Sequence, residues 1–327
     1  MCLAVLAVGF TSCNKEKVEK DSSFTFVMSE ADGFVADDSK AYIDIAASSV
    51  IKWWAGDKIM MYSVDETNTI PVTACYTMES GAGTNRAIFS GEEMTKGSYG
   101  YFAFYPYEKA VSVSEGNFGT FNVSATQTYS TELDFAGTSM AGKAFMDPQG
   151  VVGACPSDIL NGQVACSFKQ IFGYANVRLK DESGATAGKK VTMVKIVDSY
   201  RSLTGNMTIN IAELTTPRLE ALKSLGNRYS TGSVNIDNYW LELNTLLQEM
   251  GYSTESDGNS VVLDCTAANV SLNNANKYFI IPLRPGALLK DFVVTVFFDD
   301  DTTEDFPFNE QKYIIRPGMF SNMQCTF

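Results

Sequence analysis

The sequence has 327 residues, enough for about two domains, and 45% of them are apolar and 19% charged, which excludes a disordered chain. The net charge is −13, and an acidic surface repels phosphate, so we expect no nucleic-acid binding. The absence of histidine excludes Ser–His and Cys–His catalysis and histidine-ligated zinc. We therefore predict that this protein is not an enzyme and has no cofactor and no metal.

The amino terminus predicts export. Residues 1–12 are apolar and uncharged but too short to span a membrane, which is typical of a secretory signal. Phe10-Thr11-Ser12-Cys13 resembles a bacterial lipobox, in which the cysteine is acylated after signal cleavage. This makes Cys13 the predicted lipidation site, since several acyl chains on one residue give stable anchoring. The alternative is an ordinary cysteine in a signal peptide that is cleaved elsewhere.

Residues 14–22 are mostly charged and predict a solvated tether. Beyond them, apolar and polar residues alternate with the period of two that is typical of β-strands. Residues 292–298 are apolar on both faces and predict a strand buried on both faces in a sandwich core. Many short strands between Gly, Ser, Asn and Asp turns predict antiparallel β-sandwiches. The clearest alternating sets are Phe24, Phe26 and Met28; Met207, Ile209 and Ile211; and Met323, Cys325 and Phe327.

Two helices interrupt this pattern at about 212–251. Thr216-Pro217 predicts the start of the first helix and Gly226 its end. Gly251 ends the second, whose apolar stripe most simply packs on a sheet, although a partner-binding helix is an alternative. The stripe consists of Ile236, Tyr239, Trp240, Leu243, Leu247 and Met250.

The turn-rich stretch 150–162 precedes a new strand and places the domain boundary near it. We predict a signal at 1–13, a tether at 14–22, an N-terminal domain at 23–165 and a C-terminal domain at 166–327 that carries the helical insert. No Pro/Ser-rich linker separates the domains, so we expect them to pack closely.

Two further features have both a structural and a functional interpretation. The acidic run at 299–305 lacks the spacing of an EF-hand loop and predicts a solvated hairpin turn. The aromatic faces of Trp53, Trp54 and Trp240 can stack on sugar rings, but core packing is the more common use of tryptophan. Exposed rings would favour glycan binding, and a buried Trp53 and Trp54 would count against it.

Several motifs follow one another in a characteristic order between residues 41 and 180. Trp53-Trp54-Ala55-Gly56-Asp57-Lys58-Ile59 resembles the W-x-x-G-D-x-I signature of fimbrillin N-terminal domains, and later motifs are similar to the strands that follow it in that family. The chain is thus similar to the fimbrillins, the type V pilins of the Bacteroidota group. The later motifs are Ala87-Ile88-Phe89-Ser90-Gly91, Tyr101-Phe102-Ala103-Phe104-Tyr105-Pro106-Tyr107 and Phe168-Lys169-Gln170.

This resemblance implies two transthyretin-like β-sandwich domains, a lipid anchor and assembly by strand exchange. In that mechanism a protease removes the first strand, and the open groove accepts a strand from a neighbouring subunit. By resemblance, Lys40 is the candidate cleavage site. The candidate displaced strand carries Phe24, Phe26 and Met28, and the candidate donor strand carries Phe320, Met323, Cys325 and Phe327.

The predicted function is therefore a structural pilus subunit or cell-surface adhesin on the outer membrane. Its expected partners are other pilin subunits, the membrane that holds its lipid anchor, and a host or bacterial surface protein or glycan. The alternative is a surface lipoprotein that binds glycans and does not polymerise, with its N-terminal strand left in place.

Overall fold

The structure is a computed structural model. It describes residues 23–27, 42–44, 50–51, 53, 55–64, 72–84, 86–92, 100–105, 107, 112–114, 118–129, 143–145, 151–154, 165–170, 172–198, 203–210, 213, 216–230, 235–254, 258–317 and 319–327.

Strands dominate the described chain, as the alternating pattern predicts. The first group is β1 (Ser23–Val27), β2 (Tyr42–Asp44), β3 (Val50–Ile51), β4 (Lys58–Val64), β5 (Val72–Ser80), β6 (Arg86–Gly91), β7 (Gly100–Tyr105), β8 (Ser112–Ser114), β9 (Phe118–Val123), β10 (Thr126–Thr128), β11 (Lys143–Phe145), β12 (Val151–Ala154) and β13 (Ala165–Gln170). The second group is β14 (Gly173–Lys180), β15 (Val191–Val197), β16 (Gly205–Asn210), β17 (Ser253–Thr254), β18 (Ser260–Asp264), β19 (Lys277–Leu283), β20 (Leu288–Phe298), β21 (Thr303–Ile314) and β22 (Phe320–Thr326).

Two helices, α1 (Thr216–Ser230) and α2 (Ile236–Glu249), form the predicted insert. The Asn235 side chain caps α2 by accepting a hydrogen bond from the Asp237 N–H. Gly251 follows α2 with a φ of +75°, a conformation that favours glycine, which confirms its predicted role. Gly226, in contrast, does not end α1, because the burial of Leu222 and Leu225 outweighs the cost of about 1 kcal/mol for a glycine in a helix.

The N-terminal strands close on themselves. The order β1-β13-β12-β7-β4-β5-β6 is a closed barrel, because β1 pairs antiparallel with β6 and parallel with β13. Most strand pairs of the described chain are antiparallel, as predicted, and β1 also joins both ends of this sheet, which leaves no open edge there. The pairings of β10 with β18 and of β14 with β22 are also parallel.

Two sheets combine strands from both sides of the predicted boundary at residue 165. In the order β17-β16-β9-β8, strand β9 pairs along its whole length with β16. In the order β10-β18-β15-β20-β21, strand β10 pairs with β18. The two halves therefore share hydrogen-bonded sheets in addition to packing against each other.

Three apolar cores follow from this arrangement. The barrel core contains Trp53, Ile59, Met61 and Phe89. The central core joins the outer face of the barrel to both helices and to the β9–β16 sheet, and the C-terminal core lies between the sheets of β14 and β20. Strand β20 is buried on one face only: Phe292, Val294, Val296 and Phe298 point inward, whereas the alternate residues are half-exposed, which corrects the prediction of two buried faces.

Candidate functional site

Strand β1, which contains the candidate displaced residues Phe24 and Phe26, occupies the seam of the barrel. All five of its residues pair with β6, from Ser23 opposite Ser90 to Val27 opposite Arg86. On its other side, Thr25 and Phe26 pair with the start of β13. Removing β1 would therefore leave a slot that is bounded by one antiparallel and one parallel strand. Met28 lies outside the described residues.

Strand β6, which borders this slot, already contributes side chains to the barrel core. Ala87 and Phe89 of β6 are buried, and Phe89 packs against Trp53 with 4.9 Å between ring centroids. In the pairing of β1 with β6, Phe24 lies opposite Phe89 and Phe26 lies opposite Ala87. A strand placed in the slot would continue this ladder with main-chain hydrogen bonds.

Strand β22 contains the candidate donor residues Phe320, Met323 and Cys325, and Phe327 follows it directly. It lies at an edge of the described sheet β19-β14-β22. It pairs in parallel with β14 from Tyr174–Phe320 to Lys180–Thr326. Met323 and Cys325 are buried and the alternate residues Asn322, Gln324 and Thr326 are exposed, which confirms the predicted alternation.

All four candidate donor residues contact the core of their own chain. Phe320 faces the central core, with its ring 5.4 Å from that of Tyr174. Met323 and Cys325 lie in the C-terminal core, where the Phe327 ring is 5.0 Å from that of Phe306. In this structure β22 therefore packs into the cores of its own chain.

A turn at residues 181–186, which sequence reasoning missed, holds the end of β22. The Phe327 N–H donates to the Lys180 carbonyl at 2.9 Å, and the Glu182 and Ser183 N–H groups donate to the Phe327 carbonyl at 3.3 Å. The Asp181 carboxylate organises the turn by accepting hydrogen bonds from the Thr186 hydroxyl and from three backbone N–H groups. These bonds, first that from the Thr186 hydroxyl, lower the pKa of Asp181 to about 2. The Asp181-Glu182-Ser183-Gly184 sequence is the available signal for this turn.

The edge strands of the described sheets differ in charge. The outer strand β21 carries Glu304, Asp305 and Pro307, which are residues that discourage edge-to-edge pairing. Strand β22 has the sequence FSNMQCT, with neither a charge nor a proline. Strand β22 is therefore less protected against pairing than β21.

Trp53 of the W-x-x-G-D motif is fully buried, and a buried ring counts against stacking on sugars. Its ring contacts Phe89 and also Tyr105, whose hydroxyl donates to the buried Asp57 carboxylate at 3.2 Å. The motif thus builds the barrel core. Trp54, Cys13 and Lys40 lie outside the described residues, and Trp240 is partly exposed.

Two of the described thiols, those of Cys265 and Cys325, are buried. Burial raises the pKa of Cys325 to about 12 and that of Cys265 still further, so both thiols remain protonated at neutral pH. The acidic run forms the exposed turn between β20 and β21, as predicted, and Lys189 pairs with Asp300 there at 2.9 Å. Within the described residues, no three acidic, cysteine or histidine side chains group closely enough to hold a metal ion.

No family model matches the sequence, and no curated protein matches it either. The fold is similar to a candidate cell adhesion protein from Bacteroides ovatus, with 14% identity and a TM-score of 0.47 over 94% of this chain and 92% of that one. A candidate cell adhesion protein from Bacteroides uniformis has 12% identity and a TM-score of 0.43 over 91% and 94% of the two chains. A fimbrial protein from Bacteroides ovatus has 11% identity and a TM-score of 0.35 over 94% of this chain and 50% of that one. These identities are too low for residues to be transferred.

Neither described helix has the length and apolar character needed to cross a lipid bilayer.

Proposed function

We propose that this protein is a cell-surface fimbrial or adhesion subunit that associates with further copies by exchanging β-strands. The observation that carries the proposal is the position of β1, which pairs on both sides and closes the barrel. A strand in that position can be replaced by another strand with little change to the rest of the sheet, because the two neighbouring strands fix its place.

Strand β22 is the proposed donor. It is uncharged, lies at a described sheet edge and alternates between buried and exposed residues, as a groove-filling strand must. If β22 left its own sheet, the part of the C-terminal core that Met323 and Cys325 fill would become exposed. Exchange is therefore favoured only where the new site buries a comparable apolar surface. The slot left by β1 is bordered by the buried residues Ala87 and Phe89.

Limited trypsin digestion of the chain that begins at Asn14 tests this proposal. We expect cleavage after Lys40, loss of the segment that contains β1, and growth into ladders that size-exclusion chromatography and electron microscopy detect. A large excess of a peptide of residues 21–30 should fill the slot and stop the growth.

Two matched controls separate strand exchange from nonspecific aggregation. The Lys40→Gln variant should keep its first strand and stay monomeric, and the peptide with Phe24 and Phe26 replaced by aspartate should not block growth. A chain that has lost the segment before Ala41 and still remains monomeric would contradict the proposal.

The proposed membrane attachment is an acylated Cys13 on the outer membrane. Bacteria grown with labelled palmitate should incorporate label into the wild-type chain and not into a Cys13→Ser variant. The variant should also leave the membrane fraction, because several acyl chains are needed for stable anchoring. Equal labelling of both chains would rule out Cys13 as the acylated residue.

A further inference from the structure

A cavity of about 230 Å³ lies between α2 and the turn that joins β19 to β20. Helix α2 contributes Trp240, Asn244 and Gln248 to its wall, and the turn contributes Arg284 and Gly286. The cavity is smaller than the roughly 300–1,000 Å³ of sites for drug-sized ligands. Its size suits one small molecule with a single ring.

Hydrogen bonds within and between the two walls fix the shape of this cavity. The Trp240 indole Nε1–H donates to the Gly286 carbonyl at 2.9 Å, which orients the indole ring. The Asn244 side-chain amide donates to the Trp240 carbonyl at 2.8 Å, and the Gly286 N–H donates to the Ile315 carbonyl at 2.8 Å. The cavity is therefore preformed, which lowers the entropic cost of binding.

Glycine is required at the point where the turn meets the helix. Gly286 has a φ of +80°, and a Cβ atom there would lie 2.7 Å from Asn244 Oδ1 and 3.1 Å from Leu247 Cδ1. Any other residue would be strained at this φ and would crowd the Asn244 and Leu247 side chains. The sequence at this position thus permits the close approach that shapes the cavity.

The wall of the cavity carries a positive charge, although the chain as a whole has a net charge of −13. Among the described residues that line the cavity, Arg284 is the charged one. A guanidinium pairs with a carboxylate through two parallel hydrogen bonds. Trp240 adds an aromatic surface, and the exposed Gln248 adds an amide that can both donate and accept.

We propose that this cavity binds a carboxylate-bearing sugar of the hexuronic acid class. The pyranose ring packs against Trp240, its hydroxyl groups bond to the Gln248 amide, and its carboxylate pairs with Arg284. The site belongs to the helical insert and contains no residue of β1 or β22, so it does not depend on strand exchange.

Isothermal titration calorimetry of the chain from Asn14 with sodium glucuronate, glucose and sodium acetate tests the proposal. Glucuronate should bind, and glucose should bind at least about tenfold more weakly because it lacks the charge-assisted hydrogen bonds. Acetate should also bind more weakly, since it has no ring to contact Trp240. Equal affinity for glucose and glucuronate, equal affinity for acetate and glucuronate, or no binding of glucuronate would each overturn the proposal.

Three variants locate the site. Arg284→Gln should weaken glucuronate binding by at least about tenfold and leave the weak binding of glucose unchanged. Gln248→Ala, at an exposed position that folding tolerates, should weaken binding of both sugars by a few-fold. Arg228→Gln removes an exposed arginine of α1 that pairs with Glu242 and should bind like the wild type. Wild-type affinity in both Arg284→Gln and Gln248→Ala would overturn the assignment to this cavity.

Discussion

Replacing Trp53 by alanine is expected to lower the free energy of unfolding by about 3–5 kcal/mol. Trp53 is fully buried in the barrel core, and its ring packs edge-on against Phe89 at 4.9 Å and Tyr105 at 5.7 Å. Truncation to alanine removes the buried apolar surface and leaves a cavity that close-packed neighbours fill only in part.

Urea denaturation followed by far-UV circular dichroism measures this loss without relying on tryptophan fluorescence. The matched variant Trp53→Phe keeps an aromatic ring in the same place and should lose clearly less stability than Trp53→Ala. A change of less than about 1 kcal/mol in Trp53→Ala would show that the barrel core does not depend on this residue.

Replacing Met323 by alanine is expected to lower the free energy of unfolding by about 2–5 kcal/mol. The Met323 side chain is fully buried in the C-terminal core, on the inner face of β22. The substitution removes the contacts that hold this edge strand against β14 while leaving its backbone pairing possible.

The neighbouring residue provides the control for Met323→Ala. Gln324 is exposed on the opposite face of β22, and its amide donates to the Arg178 carbonyl at 3.3 Å. Gln324→Ala should therefore cost no more than about 1 kcal/mol in the same urea titration. Equal losses in the two variants would mean that the inward face of β22 contributes nothing beyond its backbone hydrogen bonds.

Local periodicity predicted much of the fold because it reports which face of an element is buried. The inward positions Met207 and Ile209 of β16 and Met323 and Cys325 of β22 are buried, as alternation predicted. The stripe of α2 was predicted for the same reason, and Gly251 marked its end.

Pairing between distant strands could not be predicted in this way. Nothing in the pattern of β9 indicates that its partner is β16, because alternation fixes a face and leaves the neighbouring strand open. The closure of the barrel by β1 and the parallel pairing of β10 with β18 were missed for the same reason.

The candidate sites show the same difference between what local periodicity predicts and what depends on distant contacts. The inward positions Met323 and Cys325 of β22 were predicted because they alternate with polar residues along one strand. The cavity beside Trp240 was not recognised, since Arg284 and Gly286 reach it from a turn far along the chain. The turn at Asp181 was missed because its role depends on contact with the last residue, Phe327.

The strand pairs shared between the two halves have a consequence for how the chain folds during synthesis. Thr126 of β10 pairs with Val262, and Phe121 of β9 pairs with Met207, so these N-terminal strands acquire their neighbours only after a much later segment has emerged. Contacts so distant in sequence slow folding and leave strand edges open to aggregation in the meantime. The N-terminal barrel uses no strand beyond Gln170 and can close first, whereas β9 and β10 complete their sheets only when the second half has been made.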